Sequence, residues 1–261
     1  MTMNNEKLEV PEDLRRGGVT KDVERAVSDT LKLERIVCRS LSLPDLAGKA
    51  VLDIGCGWRM CKALLDNDLP IGSYTGIDVY KEAIEYLEAN VNDERFTFHV
   101  LNANNEMYNP DGKALQEIPQ LPAEQSAYDI IWAFSVFTHL APHDYETMLK
   151  LLRACVKPDG KLVFSVFINE ATAGGLGFID NVRKQWEKNG VQIDSVNDRA
   201  AEYFAEQKVP DFIDFDPKQP LKWAIYSREH AIELVERTGW KIEGVHDPED
   251  AIQHYIVCSP A

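Results

Sequence analysis

Long hydrophobic runs are missing from this sequence. No stretch approaches the roughly 20 consecutive apolar residues that a membrane-spanning helix requires. The opening residues, MTMNNEKLEVPEDLRRGG, are polar and mixed in charge, with no apolar signal-peptide core. They read as a loosely held arm on a cytoplasmic protein with no membrane partner. Metal-type cysteine spacing is absent as well. Cys38, Cys56, Cys61, Cys155 and Cys258 are odd in number, and no second pair or nearby histidine completes a zinc set with Cys56 and Cys61. Reduced structural thiols and no metal are expected. Basic charge is scarce, with 28 bases against 43 acids and a net charge of −15. Such a surface repels phosphate backbones, which argues against a nucleic-acid partner. No internal repeat or low-complexity tract occurs.

What is present is enough apolar residue, 44% of 261, for one elaborated α/β domain with a real core. Val23, Ala26, Val27, Leu31, Val37 and Leu41 fall mostly at helical spacing, so a helix precedes the core and ends by Pro44 and Gly48. AVLDIG reads as a buried strand, MCKALLDN as a helix, YTGIDV as a second strand and KEAIEYLEANV as an amphipathic helix. FTFHVL is a third strand. The stretch from Asn102 to Ala127, with Pro110, Gly112, Pro119 and Pro122, is a long loop. YDIIWAFSV is a fourth strand, Pro142 to Val156 a helix, and KPDG turns into a fifth strand, KLVFSVFI. Ser227 caps a last helix that ends at Gly239, and WKIEGV and QHYIVCS form antiparallel neighbours.

The expected fold is therefore α/β, a seven-stranded, mostly parallel sheet with helices on both faces, an antiparallel last strand and a helical lid insertion. The expected organisation is an N-terminal arm and helix over 1–48, a cofactor-binding core over 49–168, the lid over 169–226, and a last helix and hairpin over 227–261. The insertion could equally serve as a dimer contact, so a homodimer is compatible with the sequence.

The turn in VLDIGCGWRM, Val51 to Met60, carries the chemistry. A dinucleotide-binding turn wants glycine at its first, third and sixth positions. Gly55 and Gly57 fill two of these, but Met60 stands at the last. Asp53 would also oppose a pyrophosphate, and instead suits a ligand with positive charge. S-adenosyl-L-methionine supplies an ammonium and a sulfonium and no phosphate. LDIGCG, followed by the acid of GIDV, resembles the class I S-adenosylmethionine-dependent methyltransferases, well from about Ala50 to Phe167 and in outline over the final hairpin. Arg59 departs from the family at its third glycine; it points away from the cofactor, or it contacts the methionine carboxylate.

The resemblance implies S-adenosyl-L-methionine as cofactor, held by Asp53, Gly55, Cys56 and Gly57 of the turn and by Asp78 and Val79 at the second strand's end. Asp78 falls about twenty residues beyond the turn, where an acid accepts from both ribose hydroxyls; the plain alternative is a helix cap or a solvated acid. Asn102 occupies the place of the adenine-binding acid and can accept the same bond. Alternatively Ala103 contributes through its backbone. Phe134 and Ser135 are implied beside the methionine portion. His139 is the candidate catalytic base, its alternative being a histidine that bonds a backbone carbonyl to shape the loop. His143, His230, His246 and His254 read as exposed or structural.

Methyl transfer needs alignment and exclusion of water more than a catalytic constellation, so the core says little about the acceptor. Phe134 to Phe137 lacks the Asn/Asp-Pro-Pro-aromatic run of nucleobase amino-methylating enzymes, and no cysteine stands there for pyrimidine-carbon chemistry. A small-molecule acceptor is expected, with O-methylation ahead of N-methylation. YNPDG, Tyr108 to Gly112, resembles a loop of small-molecule methyltransferases. Trp186, Tyr203, Phe204, Phe212, Phe215 and Trp223 of the lid are candidates to line an apolar pocket. Two rivals remain at this point: a nucleotide-dependent oxidoreductase, and a non-catalytic S-adenosylmethionine-binding sensor or subunit.

Overall fold

The computed structural model describes residues 7–15, 21–170, 211–214, 221, 223–248 and 252–261. It divides into two compact units, Met1–Trp132 with Ala154–Lys161, and Ala133–Arg153 with Leu162–Ala261.

The first unit alternates helices and strands. Helix α1 (Val23–Ser40) starts where the Asp22 side chain accepts from the Arg25 N–H, and it buries Ala26, Thr30, Val37 and Cys38. It is followed by β1 (Leu46–Ile54), α2 (Arg59–Asp66), β2 (Ile71–Asp78), α3 (Lys81–Asn90), β3 (Phe96–Val100) and β4 (Tyr128–Ala133). All pairings here are parallel, in the order β3-β2-β1-β4, with Asp53 opposite both Gly76 and Trp132. The last four residues of β1 are buried, as both faces of a parallel sheet must be. Gly48 belongs to β1 rather than to a helix end; its φ of 70° sits where the register shifts between Leu46 and Ala50.

Residues 7–15 are not a loose arm. Leu8, Val10 and Leu14 are all buried. Buried apolar side chains at alternate positions, with Lys7 and Glu9 exposed, explain how a mostly polar segment is held.

The second unit holds most of α4 (Pro142–Cys155) and the end of β5 (Val156–Ile168), then β6 (Phe212–Asp214), β7 (Ala224–Tyr226), α5 (Arg228–Glu236), β8 (Trp240–His246) and β9 (His254–Pro260). KPDG does not precede β5 as a turn but lies inside it. At Gly160 a side chain would meet the Tyr128 carbonyl at 2.8 Å, so only glycine allows the strand to run through. The last two strands pair as expected, and β9 is antiparallel to both β8 and β5. The described fold is thus mixed α/β, with a mostly parallel sheet and an antiparallel last strand.

Of the insertion over 169–226, the described parts include two three-residue strands, β7 parallel to β5 and β6 antiparallel to β7. Phe212 packs on Tyr226 and Trp223 on Phe167, with ring centroids 5.2 and 5.3 Å apart. Trp186, Tyr203, Phe204 and Phe215 lie outside the described residues. Phe137, Tyr145, Phe164 and Tyr226 form a continuous aromatic core, and α5 begins at Ser227, whose hydroxyl accepts from the His230 N–H. All five cysteines are free and buried, and among the described residues no helix is long and apolar enough to cross a membrane.

Gly76 fixes how closely β2 approaches the turn after β1. An added Cβ would meet Cys56 Sγ at 2.9 Å, Phe98 at 3.0 Å and Tyr74 at 3.1 Å. Gly76→Ala is expected to cost about 1–3 kcal/mol in chemical denaturation, as overpacked cores do, and adding Cys56→Ala should recover part of the loss.

Candidate active site

The turn after β1 is built from left-handed backbone. Gly55 and Gly57 have φ of 69° and 47°, which side-chain-bearing residues seldom adopt. Three contacts to the end of β2 hold it, and a fourth ties β2 to the start of α3. The Gly55 and Cys56 N–H groups both donate to the Ile77 carbonyl, at 2.8 and 3.2 Å. The Gly57 N–H donates to Asp78 Oδ2 at 2.7 Å, and the Tyr80 N–H to Oδ1 at 2.8 Å. The Asp78 carbonyl also accepts from the Leu101 N–H at 2.8 Å, where β3 ends. Asp78 and the adjoining Val79 remain half-buried. Cys56 contributes only its backbone here, since its thiol packs toward Gly76 and burial pushes its pKa far up.

Asp53 lies beneath this turn, 4% exposed, and accepts from the Tyr74 hydroxyl at 2.6 Å. Burial pushes its carboxyl up to about 7; the Tyr74 hydroxyl and the Trp132 indole pull the other way, Asp78 adds to the rise and Arg59 opposes it. Burial in turn lowers the Arg59 guanidinium, against the charge of Asp53, then Asp29 and Tyr108. Arg59 therefore stands in the field of Asp53 rather than out in solvent. Met60 is buried against the core.

Asn102 and Ala103 open a loop that closes on itself. Asn109 Nδ2 donates to Asn102 Oδ1 at 3.1 Å and to the Ala103 carbonyl at 3.0 Å. The Lys113 N–H donates to the Asn102 carbonyl, and Gly112 passes so close that a Cβ would stand 2.4 Å from Ala103 backbone. The YNPDG stretch is thus the clasp that shapes residues 102 and 103. The Tyr108 ring lies 5.5 Å from that of Tyr80. Tyr80 does not stand out from the sequence, although it adjoins Val79, and the YNPDG motif gives no sign of the part Asn109 plays in it.

Phe134, Ser135 and His139 belong to the second unit and are held by partners there. Ser135 has φ of 58°, unusual for a residue with a side chain. Its N–H donates to the buried Ser165 hydroxyl at 2.8 Å, and its own hydroxyl accepts from Gln253 Nε2 at 3.0 Å. Phe134 meets Tyr255 edge-on at 6.1 Å. His139 closes a short 3₁₀ turn, with Nδ1 3.0 Å from the Leu221 carbonyl. When Nδ1–H donates there, Nε2 carries the lone pair. Further along, Arg228 clamps Glu170, and His254 Nε2 stands 3.0 Å from the same carboxylate. Glu170, Asp247 and His254 could ligate an ion by spacing, but the Arg228 guanidinium already supplies the positive charge.

The first-unit site fits S-adenosyl-L-methionine. A carboxylate oxygen carries two lone pairs, so Asp78 has the acceptor chemistry that a pair of ribose hydroxyls requires. The buried acid at 53 and the buried methionine at 60 suit a cationic ligand and leave no glycine cradle for a pyrophosphate. The chain belongs to the methyltransferase domain family, whose sequence model matches residues 24–243. A ubiquinone biosynthesis O-methyltransferase of Coxiella burnetii is 30% identical over 120 residues, covering 46% of this chain and 44% of that protein. The chain thus matches less than half the length of that relative. Among solved structures, the PH0226 protein of Pyrococcus horikoshii OT3 superposes with a TM-score of 0.59 at 15% identity, over 97% of this chain and all of the other. An S-adenosylmethionine-dependent methyltransferase of Mesorhizobium loti gives 0.51 at 14% identity, over 86% and 96%. At such identities these two likenesses concern the fold.

The raised Asp53 carboxyl sets a pH dependence of folding. Its folded pKa lies above the unfolded value, so its contribution is fully present below about pH 4 and is lost as pH rises through about 7. Asp53→Asn removes that loss. Thermal melts should show the variant gaining on the wild type between pH 5 and pH 8, and parallel curves would mean Asp53 does not titrate in this range.

Proposed function

We propose that the protein transfers the S-methyl group of S-adenosyl-L-methionine to a small-molecule acceptor, at oxygen in preference to nitrogen. One observation carries the cofactor half of this reading. A single carboxylate, Asp78, fixes the glycine turn and the start of α3 from the end of β2, beside the turn that the cofactor would follow. In this reading Asp78 holds the ribose hydroxyls, and the backbone of Gly55, Cys56 and Gly57 follows the methionine portion. Asp53 balances the cofactor's positive charge from below, with Val79, Asn102 and Ala103 bordering the adenine. Phe134 and Ser135 serve the methionine side.

The bound cofactor supplies a methyl group already activated on sulfur. The protein's task is to align an acceptor oxygen and to receive its proton. His139 is suited to the second part, since a carbonyl partner on Nδ1 leaves Nε2 as the proton acceptor. On methyl transfer to an acceptor hydroxyl, His139 Nε2 would receive the proton that the hydroxyl gives up. The similarity to a ubiquinone biosynthesis O-methyltransferase supports oxygen as the nucleophile. The charge of −15 favours a neutral or cationic small acceptor over a polyanion. Five free, buried thiols suit a reducing, cytoplasmic setting.

The first test is a calorimetric titration with S-adenosylhomocysteine, with NAD and NADP as controls. Micromolar binding of S-adenosylhomocysteine alone is expected, and heat from a dinucleotide instead would replace this reading with an oxidoreductase. Asp78→Ala should weaken that affinity at least tenfold; unchanged affinity removes Asp78 from the site. Methyl transfer from radiolabelled S-adenosyl-L-methionine is then screened over phenols, quinols, amines and tRNA. With the acceptor that turns over, His139→Ala should lower the rate while leaving cofactor affinity near wild type, and full activity would make His139 a structural residue.

A further inference from the structure

The cofactor turn has one more anchor, and it comes from the far N-terminal end of the described chain. Trp58 directly follows Gly57 and caps α2, and its indole is 3% exposed. Its Nε1–H donates to the Leu14 carbonyl at 3.1 Å, across 44 positions of sequence. Lys62, one helical turn on, is also buried, and donates to the Leu8 carbonyl at 2.5 Å. Asp66, a further turn on, pairs with Lys62 at 2.6 Å and accepts from the Leu8 N–H at 3.1 Å. Positions 58, 62 and 66 share one face of the helix. That face grips residues 8–14 from end to end.

The gripped segment has its own fixings. Leu8, Val10 and Leu14 are buried, Arg15 donates from Nε and Nη2 to the Val10 carbonyl at 2.9 and 2.6 Å, and the Tyr86 hydroxyl of α3 donates to the Glu9 carbonyl. A buried Lys–Asp pair is costly to assemble unless both groups find further partners. Here Leu8 supplies one to each. Removing the segment would leave Lys62, Asp66 and the Trp58 indole without these bonds at once. The turn and the segment therefore share a single network through α2.

We infer that the N-terminal segment 7–15 is a working part of the cofactor site. Through the Leu14 carbonyl it positions Trp58, and thereby the Gly55–Gly57 turn, so cofactor binding and docking of the segment favour one another. This rests on the cofactor reading above. Trp58 is a positioning residue, acting on the cofactor through the turn's backbone. By linkage, the ligand that prefers the ordered turn also stabilises the docked segment by the same factor.

The test uses the full chain and S-adenosylhomocysteine. Trp58→Phe keeps an aromatic ring while removing the Nε1–H donor and part of the indole's bulk; its affinity should fall at least fivefold in calorimetry. Leu8→Ala loosens the segment at its other end and should also weaken binding, about threefold or more. Limited trypsinolysis supplies the linked readout. Saturating S-adenosylhomocysteine should slow cleavage after Arg15 at least fivefold in the wild type, relative to cleavage after Lys161 inside β5. In Trp58→Phe that protection should largely vanish. Wild-type affinity in both variants, or cleavage after Arg15 indifferent to ligand in the wild type, overturns the inference. Should Trp58→Phe not fold, the Leu8→Ala affinity and the wild-type protection decide it. A wild type that binds no S-adenosylhomocysteine at all would instead overturn the cofactor reading.

Discussion

The end of β2 organises the first unit, and the Asp78 carboxylate is its centre. A glycine turn with φ above zero at two positions has no regular backbone ladder of its own. Its N–H groups need acceptors, and an orphaned N–H would cost about 1–3 kcal/mol. Ile77 supplies one carbonyl to two of them and Asp78 supplies a carboxylate oxygen to the third. The second oxygen of Asp78 takes the N–H at the start of α3, and its carbonyl takes the N–H at the end of β3. One residue thus ties together the turn, a helix start and a strand end. The carboxylate proposed to take the ribose is the same group that holds these elements together.

Asp53 shows the opposite balance. Burial raises its pKa to about 7. A group kept under that strain makes physical sense where a positive ligand arrives. Part of the cost is met within the chain by Tyr74 and Arg59. Strain recurs in the second unit at Ser135, a non-glycine residue in left-handed backbone, secured by the buried Ser165 hydroxyl and by Gln253. Sparse backbone conformations persist only where the surroundings over-determine them, and Ser135 fits that description.

The sequence displayed the parts whose signal is local. Glycine at 55 and 57 answers a φ requirement, Asp78 answers a spacing, and the parallel strands show as short apolar runs between helical periods. It hid what depends on distant partners. Leu8 and Val10 do alternate with charged neighbours, but three apolar residues in a polar stretch reveal no docking surface. Trp58, Lys62 and Asp66 look like an ordinary mixed helix face until the segment they grip is in place. Asn109 and Gly112 had a visible motif without a visible purpose, because their target is the backbone of residues 102 and 103. In the sequence Gly160 looks like a turn residue, whereas its real constraint is a carbonyl from another strand.

The absent third glycine can now be understood. Glycine is favoured where φ is positive, and α2 has already begun at Arg59, where helical backbone accepts any side chain. A glycine at that point would offer only space. Arginine there brings charge to the edge of the Asp53 environment, lowering the cost of burying that carboxylate. The helix keeps its core contact through Met60 and its grip on the N-terminal segment through Trp58 and Lys62. Four consecutive positions, 57 to 60, thus carry four different duties: backbone conformation, anchorage, charge and packing. Their residue types follow from those duties, and the departure at 59 leaves the conformation of the turn intact.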